Sequence, residues 1–333
     1  MRRSAAAAAL TSLVAVAVAC AAPPAPRGSG AEWTSPIGRD HALAGRVFDL
    51  AERTESSEAE LLAALRGAHF ALLGESHENA DHHRLQAHLL EGLVAGGAAP
   101  AVAFEMLRAD QQPALDAALS AEAPSAEGVR AATRWDEGGW PAFALYAPIF
   151  EAALAAQLPL VAADLAQDER KLLASGEPVP APLRAHLGLD EELPQELQRS
   201  LEADLLAGHC GMLPASALPR LVRVQRGRDA ALAQALLGAT GAADDETQAE
   251  GVQAVLVSGA EHARRDRGVP RALARLAPGA SVVAVAFLEI DPEQDDAWAD
   301  LEARYGAEQV FDYVWYTPKA SDEDYCERMK RGR

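Results

Sequence analysis

Apolar residues fall in short, nearly unbroken runs at 69–76 (HFALLGES), 101–107 (AVAFEML), 158–165 (LPLVAADL), 253–260 (QAVLVSGA) and 281–290 (SVVAVAFLEI). Runs of this length, without period-two alternation, predict strands buried on both faces. FDYVWYTP at 311–318 predicts a further strand, and its Pro318 marks an edge or an end because proline has no N–H for the ladder. Between these runs, apolar positions recur at helical spacing over 81–96, 109–120, 140–157 and 268–276. Strands alternating with helices predict an α/β protein: a three-layer α/β/α sandwich with a largely parallel sheet.

Residues 178–250 break this rhythm. They are rich in Leu, Ala, Glu and Arg, offer no convincing strand and predict a helical insertion over one end of the sheet. The six acids of DEELPQELQRSLEAD (190–204) read as a solvated face, and 241–250 as an exposed loop. The α/β domain is expected over 58–318. Ahead of it, 20–57 reads as a flexible tether, with a short helix around 42–50, and 319–333 reads as a loosely ordered tail.

The first residues lie outside this layout. Arg2 and Arg3 precede an apolar run at 5–19 that is too short to span a bilayer as a standard helix. The run ends in Ala17-Val18-Ala19-Cys20, which resembles a bacterial lipobox with Ala17 in place of the usual leucine. The expectation is a signal peptide over 1–19 and lipidation of Cys20, the acyl chains anchoring the protein to the membrane. Ala21 after that cysteine resembles outer-membrane sorting, which places the protein in the bacterial cell envelope. A formal charge of −19 argues against nucleic acid, whose phosphates need a basic face. Cys210 and Cys326 can pair in an exported protein, but their positions alone do not decide it.

In an open parallel sheet, ligands sit beyond the carboxyl ends of the strands. Three such ends carry polar groups: Gly74-Glu75-Ser76-His77, Phe104-Glu105-Met106 and Gly259-Ala260-Glu261-His262-Ala263-Arg264. If these strands are neighbours, Glu75, His77, Glu105, His262 and Arg264 meet on one rim. Two carboxylates and two imidazoles suffice for a divalent metal such as manganese or zinc, although each residue alone is more often a cap or loop residue. The glycines ahead of His77 and His262 would let the backbone turn sharply. His82 shares the apolar face of its helix with Leu85, Leu89 and Leu93, so it is either a rim residue or a packed, hydrogen-bonded histidine; His83 lies about 100° round from it. Trp135, Trp140, Phe143, Tyr146 and Phe150 crowd into 16 residues. They read as a helix packed on the sheet, or as a wall for a flat ligand with Tyr146 as an iron ligand. His209, Cys210 and Met212 lie in a glycine-flanked loop, and Gln225, Arg228 and Asp229 on an amphipathic helix face either the rim or solvent.

Taken together, LLGESHENADHHRLQ, FEML with DQQPALDAAL, RWDEGGWPAFALYAPIFEAAL, GHCGMLP with VQRGRDAALAQAL, and SGAEHARRDRGVPRAL resemble the ChaN-like haem-binding-uptake lipoproteins, over about 70–286. That superfamily includes Tiki/TraB-type metalloproteases and erythromycin esterases. The resemblance implies a sandwich with a helical accessory region, haem binding, possible enclosure of haem between two protomers of a homodimer, and iron acquisition. Its acid and histidine positions match Glu75, His77, Glu105 and His262, with Arg264 beside the last; Asp164 stands where related sequences commonly have asparagine. Two functions follow. One is a lipid-anchored haem-binding protein using His82, His83, Tyr146 and Trp140. The other is a hydrolase of peptide or ester bonds, metal-dependent or histidine-based, using Glu75, His77, Glu105 and His262, with Arg264 steadying an oxyanion. No Gly-x-Ser-x-Gly elbow is present.

Overall fold

The computed structural model describes residues 32–240, 251–306 and 309–331. The leader 1–19, Cys20 and the loop 241–250 lie outside the described residues.

Eight strands form one sheet: β1 (Val47–Asp49), β2 (Thr54–Ser56), β3 (Phe70–Glu75), β4 (Ala101–Arg108), β5 (Leu160–Asp164), β6 (Ala254–Gly259), β7 (Val282–Glu289) and β8 (Tyr313–Thr317), in the order β2-β1-β8-β7-β3-β6-β4-β5. The six strands from β8 to β5 run parallel, and the β1–β2 hairpin joins them antiparallel to β8. The unbroken apolar runs have a direct cause: successive residues point to opposite faces, and both faces are covered. Ala71, Leu73, Phe104, Val257 and Phe287 pack under the helices Ala80–Ala95 and Phe143–Ala155. Phe70, Leu72, Ala103, Leu256 and Ala286 face the other way, against Leu218–Ala239, Val269–Leu276 and Ala297–Tyr305. Each fully buried Leu or Phe in these layers contributes about 1.5–3 kcal/mol of apolar transfer.

The Ala80–Ala95 helix starts at Asn79, whose Oδ1 accepts from the amides of Asp81 (2.9 Å) and His82 (3.4 Å). Asn79 Nδ2 donates to Glu289 Oε1 and to the Pro318 carbonyl, tying the helix start to the ends of β7 and β8. Over the described part of 178–250 the chain is helical, at Ala181–His186, Gln195–Gly208 and Leu218–Ala239. The last of these also covers the sheet through Leu232, Ala233 and Leu236.

Pro318 marks the end of β8, one of its two expected places; β8 itself lies between β7 and β1 and is not an edge. Three expectations change. The region around 42–50 holds a turn and strand β1, not a helix, and the chain from residue 32 is docked. Thr34 N, Thr34 Oγ1 and Ser35 N donate to the buried Asp81 carboxylate at 3.0, 2.7 and 2.7 Å. Three-residue strands such as VFD are too short for a periodic signal; pairing with β8 decides them. The tail is also fastened: Lys319 exchanges backbone hydrogen bonds with Ile37, Tyr325–Arg331 is helical, and Cys326 is bonded to Cys210 with Cα atoms 5.3 Å apart.

Candidate functional site

Strands β3, β6 and β4 are neighbours, so their carboxyl ends come together. Glu75 pairs in register with Gly259, and the Gly259 amide donates to Glu105 Oε2 at 2.6 Å. A Cβ built on Gly259 would lie 3.0 Å from His77 Cε1, 3.2 Å from His77 Nε2 and 3.6 Å from Glu105 Oε2. His77 therefore lies over the glycine, beside Glu105. With φ at −61°, Gly259 is there for close approach and not for the sharp turn expected. Gly74 acts likewise: its Cβ would sit 2.8 Å from Ala260 Cα.

Glu75 is buried. His77 Nδ1 donates to its Oε1 at 2.5 Å and Tyr146 Oη donates to the same oxygen at 3.2 Å, while Oε2 has no partner. His77 is half-buried. Burial disfavours its charged form, but the Glu75 charge and hydrogen bond, with Glu105 behind them, hold its pKa up at about 9.

Glu105 anchors a buried chain of charges. Arg228 Nη2 donates to Glu105 Oε1 at 2.7 Å, and its Nε donates to Asp164 at 2.9 Å. His262 Nε2 lies 3.3 Å from the same Glu105 oxygen, and its Nδ1 lies 2.6 Å from Asp229. Burial works against the Glu105 carboxylate, yet the charges of His262 and Arg228 pull its pKa well below the usual range. Burial likewise disfavours the imidazolium of His262, but Glu105 and Asp229 raise its pKa to about 10. Arg228 and Asp229 are consecutive on one helix, so their side chains diverge by about 100° and reach two different partners.

The structure thus brings Glu75, His77, Glu105 and His262 together, as expected, and leaves Arg264 out. Arg264 follows the one-turn helix Ala260–Ala263 and lies against Asp266 at 2.8 Å, with Asp204 and Glu261 at 3.6 and 3.7 Å and its guanidinium over the Tyr305 ring. Arg228 supplies the rim guanidinium instead.

His82 is a packed histidine. Its Nδ1 accepts from the Ser76 amide at 2.9 Å, Nε2 donates to Thr317 Oγ1 at 2.8 Å, and burial drives its pKa down to about 3. His83 is equally enclosed, with Nδ1 at Gln86 Oε1 (3.2 Å), Nε2 at the His77 carbonyl (3.1 Å) and its ring 4.0 Å from that of Tyr146. Tyr146 is fully buried, and burial followed by the charges of Glu75 and Glu105 pushes its phenol pKa upward. Phe143, Phe150 and Trp135 are core residues, Phe150 stacking on Phe104 at 4.2 Å. Of the aromatic cluster, Tyr146 touches Glu75 from within the core, and Trp140 borders the site from outside, 5.1 Å edge-on from the His77 ring. Beside it opens a cavity of about 820 Å³ whose lining includes His77, Trp140, Pro141, Lys319, Tyr325 and Arg328.

The divalent-metal arrangement is not supported. Among the described residues no group of three or more His, Cys, Asp or Glu is placed to hold a metal ion. Two of the four donors are already spent: Glu105 on Arg228, His262 and the Gly259 amide, and His262 on Asp229. Cys210 is committed to its disulfide, and His209 Nδ1 to the Leu205 carbonyl.

A parallel sheet covered on both faces, with buried carboxylates, imidazoles and a guanidinium at its carboxyl ends, defines an α/β protein whose strand tips are the candidate ligand site. Residues 61–273 match the family described as haem-binding uptake, Tiki superfamily, ChaN, and the chain belongs to that family. Among solved structures, one titled "Cofacial heme binding to ChaN of Campylobacter jejuni" is similar over 81% of this chain and 95% of its own, with 21% identity and a TM-score of 0.61. That likeness is one of fold. An erythromycin esterase mutant, EreC in its open conformation, is similar over 80% of this chain and 95% of its own, with 15% identity and a TM-score of 0.44. Among curated proteins none matches this sequence.

Proposed function

We propose that this protein binds haem in the cavity beside His77 and, held in the bacterial outer membrane by acyl chains on Cys20, serves haem or iron uptake. The carrying observation is the state of its histidines. Both ring nitrogens of His82, His83 and His262 are engaged, whereas His77 keeps Nε2 free of any hydrogen bond and borders the cavity. A ligating histidine whose other nitrogen donates to a carboxylate is oriented and made a stronger donor, and Glu75 is placed for that part.

The residues present fit the group. The volume lies within the roughly 300–1,000 Å³ typical of ligand sites, Trp140, Pro141 and Tyr325 offer flat apolar contact, and Lys319 is a cation suited to a propionate carboxylate, Arg328 being paired with Glu78. Haem here is cargo, bringing an iron centre that accepts an imidazole. His83 and Tyr146 hold His77 and Glu75 in place, and His82 fixes the start of the loop. Hydrolysis with His77 as general base fits poorly, because a group with a pKa of about 9 already carries its proton at neutral pH. Two copies meeting at the cavity would enclose haem between them.

The test is a haemin titration followed at the Soret band. Saturable binding that, at about pH 9 where proton competition at His77 has faded, weakens about 10–100-fold in Glu75→Gln, and at least as much in His77→Ala, supports the reading; binding unaffected by either change ends it. Size-exclusion with and without haemin reads the dimer, and a shift of Cys20→Ala from the membrane to the soluble fraction reads the anchor.

A further inference from the structure

Among the described residues, Tyr325 is the one large hydrophobic side chain that is exposed, at 48%. It does not stand on an open surface. It lines the cavity that holds His77 and Trp140, together with Lys319, Ala320, Ser321, Glu323 and Arg328. All six of these residues belong to the chain after β8, beyond the 61–273 stretch that matches the family.

Such a tail is ordinarily free to move, and this one is tied at several points. Lys319 is bridged to Ile37, and the Ala320 amide donates to Glu289 Oε1 at 2.9 Å. Arg328 Nη2 reaches both carboxylate oxygens of Glu78 at 2.7 Å, next in sequence to His77. Cys326, the immediate neighbour of Tyr325, is bonded to Cys210 across a separation of 116 residues. That bond joins the tail to the helical insertion, where Cys210 directly follows the C-cap His209 of Gln195–Gly208 and is left-handed (φ 57°). The Arg328 guanidinium sits 5.5 Å from the Tyr325 ring centre.

We propose that Tyr325 is a ligand-binding residue: its ring is a face on which a flat, conjugated macrocycle stacks, and the Cys210–Cys326 bond positions it there. This rests on the haem reading above. The tail is thereby a wall of the site. Aromatic stacking needs the ring and not the hydroxyl, and it needs no iron. An unfastened tail would have to give up its own freedom on each binding event, so the disulfide raises affinity by ordering the ring beforehand.

The experiment titrates the full chain with haemin and, separately, with iron-free protoporphyrin IX. Four forms are compared: wild type, Tyr325→Ala, Tyr325→Phe and Cys326→Ser. Tyr325→Ala should weaken both ligands by about three- to tenfold, Tyr325→Phe should bind within about twofold of wild type, and Cys326→Ser should weaken both with far-UV circular dichroism unchanged. Wild-type affinity in Tyr325→Ala overturns the proposal, as does equal loss in Tyr325→Phe, which would assign the effect to the hydroxyl. If wild type binds no haemin, the haem reading itself falls; if it binds haemin and the tail variants do not differ, only the Tyr325 assignment falls.

Discussion

His77 Nδ1 lies 2.5 Å from Glu75 Oε1, and the two residues are separated in sequence by a single serine. Glu75 is the last residue of the central strand β3 and is enclosed on all sides, whereas His77, just past the turn, meets solvent. A buried carboxylate thus holds a half-buried imidazole by one nitrogen and leaves the other facing the cavity. Tyr146 steadies the same carboxylate oxygen from the facing helix.

The pairing sets a pH dependence. With its pKa raised to about 9, His77 is protonated at neutral pH, and an iron entering at Nε2 has to displace a proton. Haemin affinity should therefore rise with pH, by up to about tenfold per unit, and level off near pH 9. Glu75→Gln removes the charge that raises the pKa, so its plateau should begin at lower pH. A wild-type profile that is flat between pH 6 and 9 would sink the assignment of His77 to iron.

Stability should carry a separate signature from His262. Its pKa is raised to about 10 in the folded chain against about 6.5 unfolded. The group's contribution is therefore complete below pH 6.5 and is lost as pH climbs through 10. Glu105 works in the opposite sense: its depressed pKa gives stability that is present above about pH 4.5 and lost as pH falls through its folded value. Thermal melts should show Tm declining from pH 7 to 10, with a shallower decline in His262→Asn. Asp229→Asn, which leaves the imidazolium short of a partner, should cost about 3–5 kcal/mol at pH 7. Equal alkaline slopes in wild type and His262→Asn would contradict this account.

These residues also mark how far the sequence can be read. The six apolar runs are the six parallel strands, because burial on both faces leaves a continuous apolar imprint. Glu75, Glu105 and His262 were findable as polar groups at strand tips. Arg228 and Asp229 were not assignable: they lie on a helix far along the chain, and only its rotation about the sheet decides which partner each meets. Arg264 misled for the same kind of reason, since one turn of helix after β6 swings it away from the rim. Nothing in the local pattern around Cys326 announces its bond to Cys210, because the two meet only through tertiary packing. The β1–β2 hairpin likewise exists through its partner β8.

Breaking the disulfide should loosen the tail and leave the sheet intact. The bond ties the tail to the helical insertion, so in Cys210→Ser or Cys326→Ser the loss, about 2–4 kcal/mol, should fall on the local free energy that holds the tail in place. Amide hydrogen exchange should speed up over 319–331 and stay slow in β3, β6 and β7, whose buried ladders do not depend on the tail. Uniformly faster exchange through those strands would show that the bond supports the whole fold and not the cavity wall.

Gly259→Ala separates the placement of His77 from the integrity of the fold. The backbone there has φ at −61°, which alanine adopts freely, so the chain itself should tolerate the change. The added methyl, however, would stand 3.0 Å from His77 Cε1 and 3.2 Å from Nε2, closer than ordinary contact. His77 has room to yield, because it borders the cavity, but yielding strains its bond to Glu75. The expected outcome is a Tm lowered by only a few degrees, for a cost of about 1 kcal/mol, with haemin affinity reduced about tenfold or more, since loss of an orienting partner typically costs 10–100-fold. The two quantities are read by a thermal melt and a Soret titration on the same preparation. A variant that melts lower yet binds haemin as wild type does would mean that the position of the His77 ring over Gly259 has no part in holding the ligand.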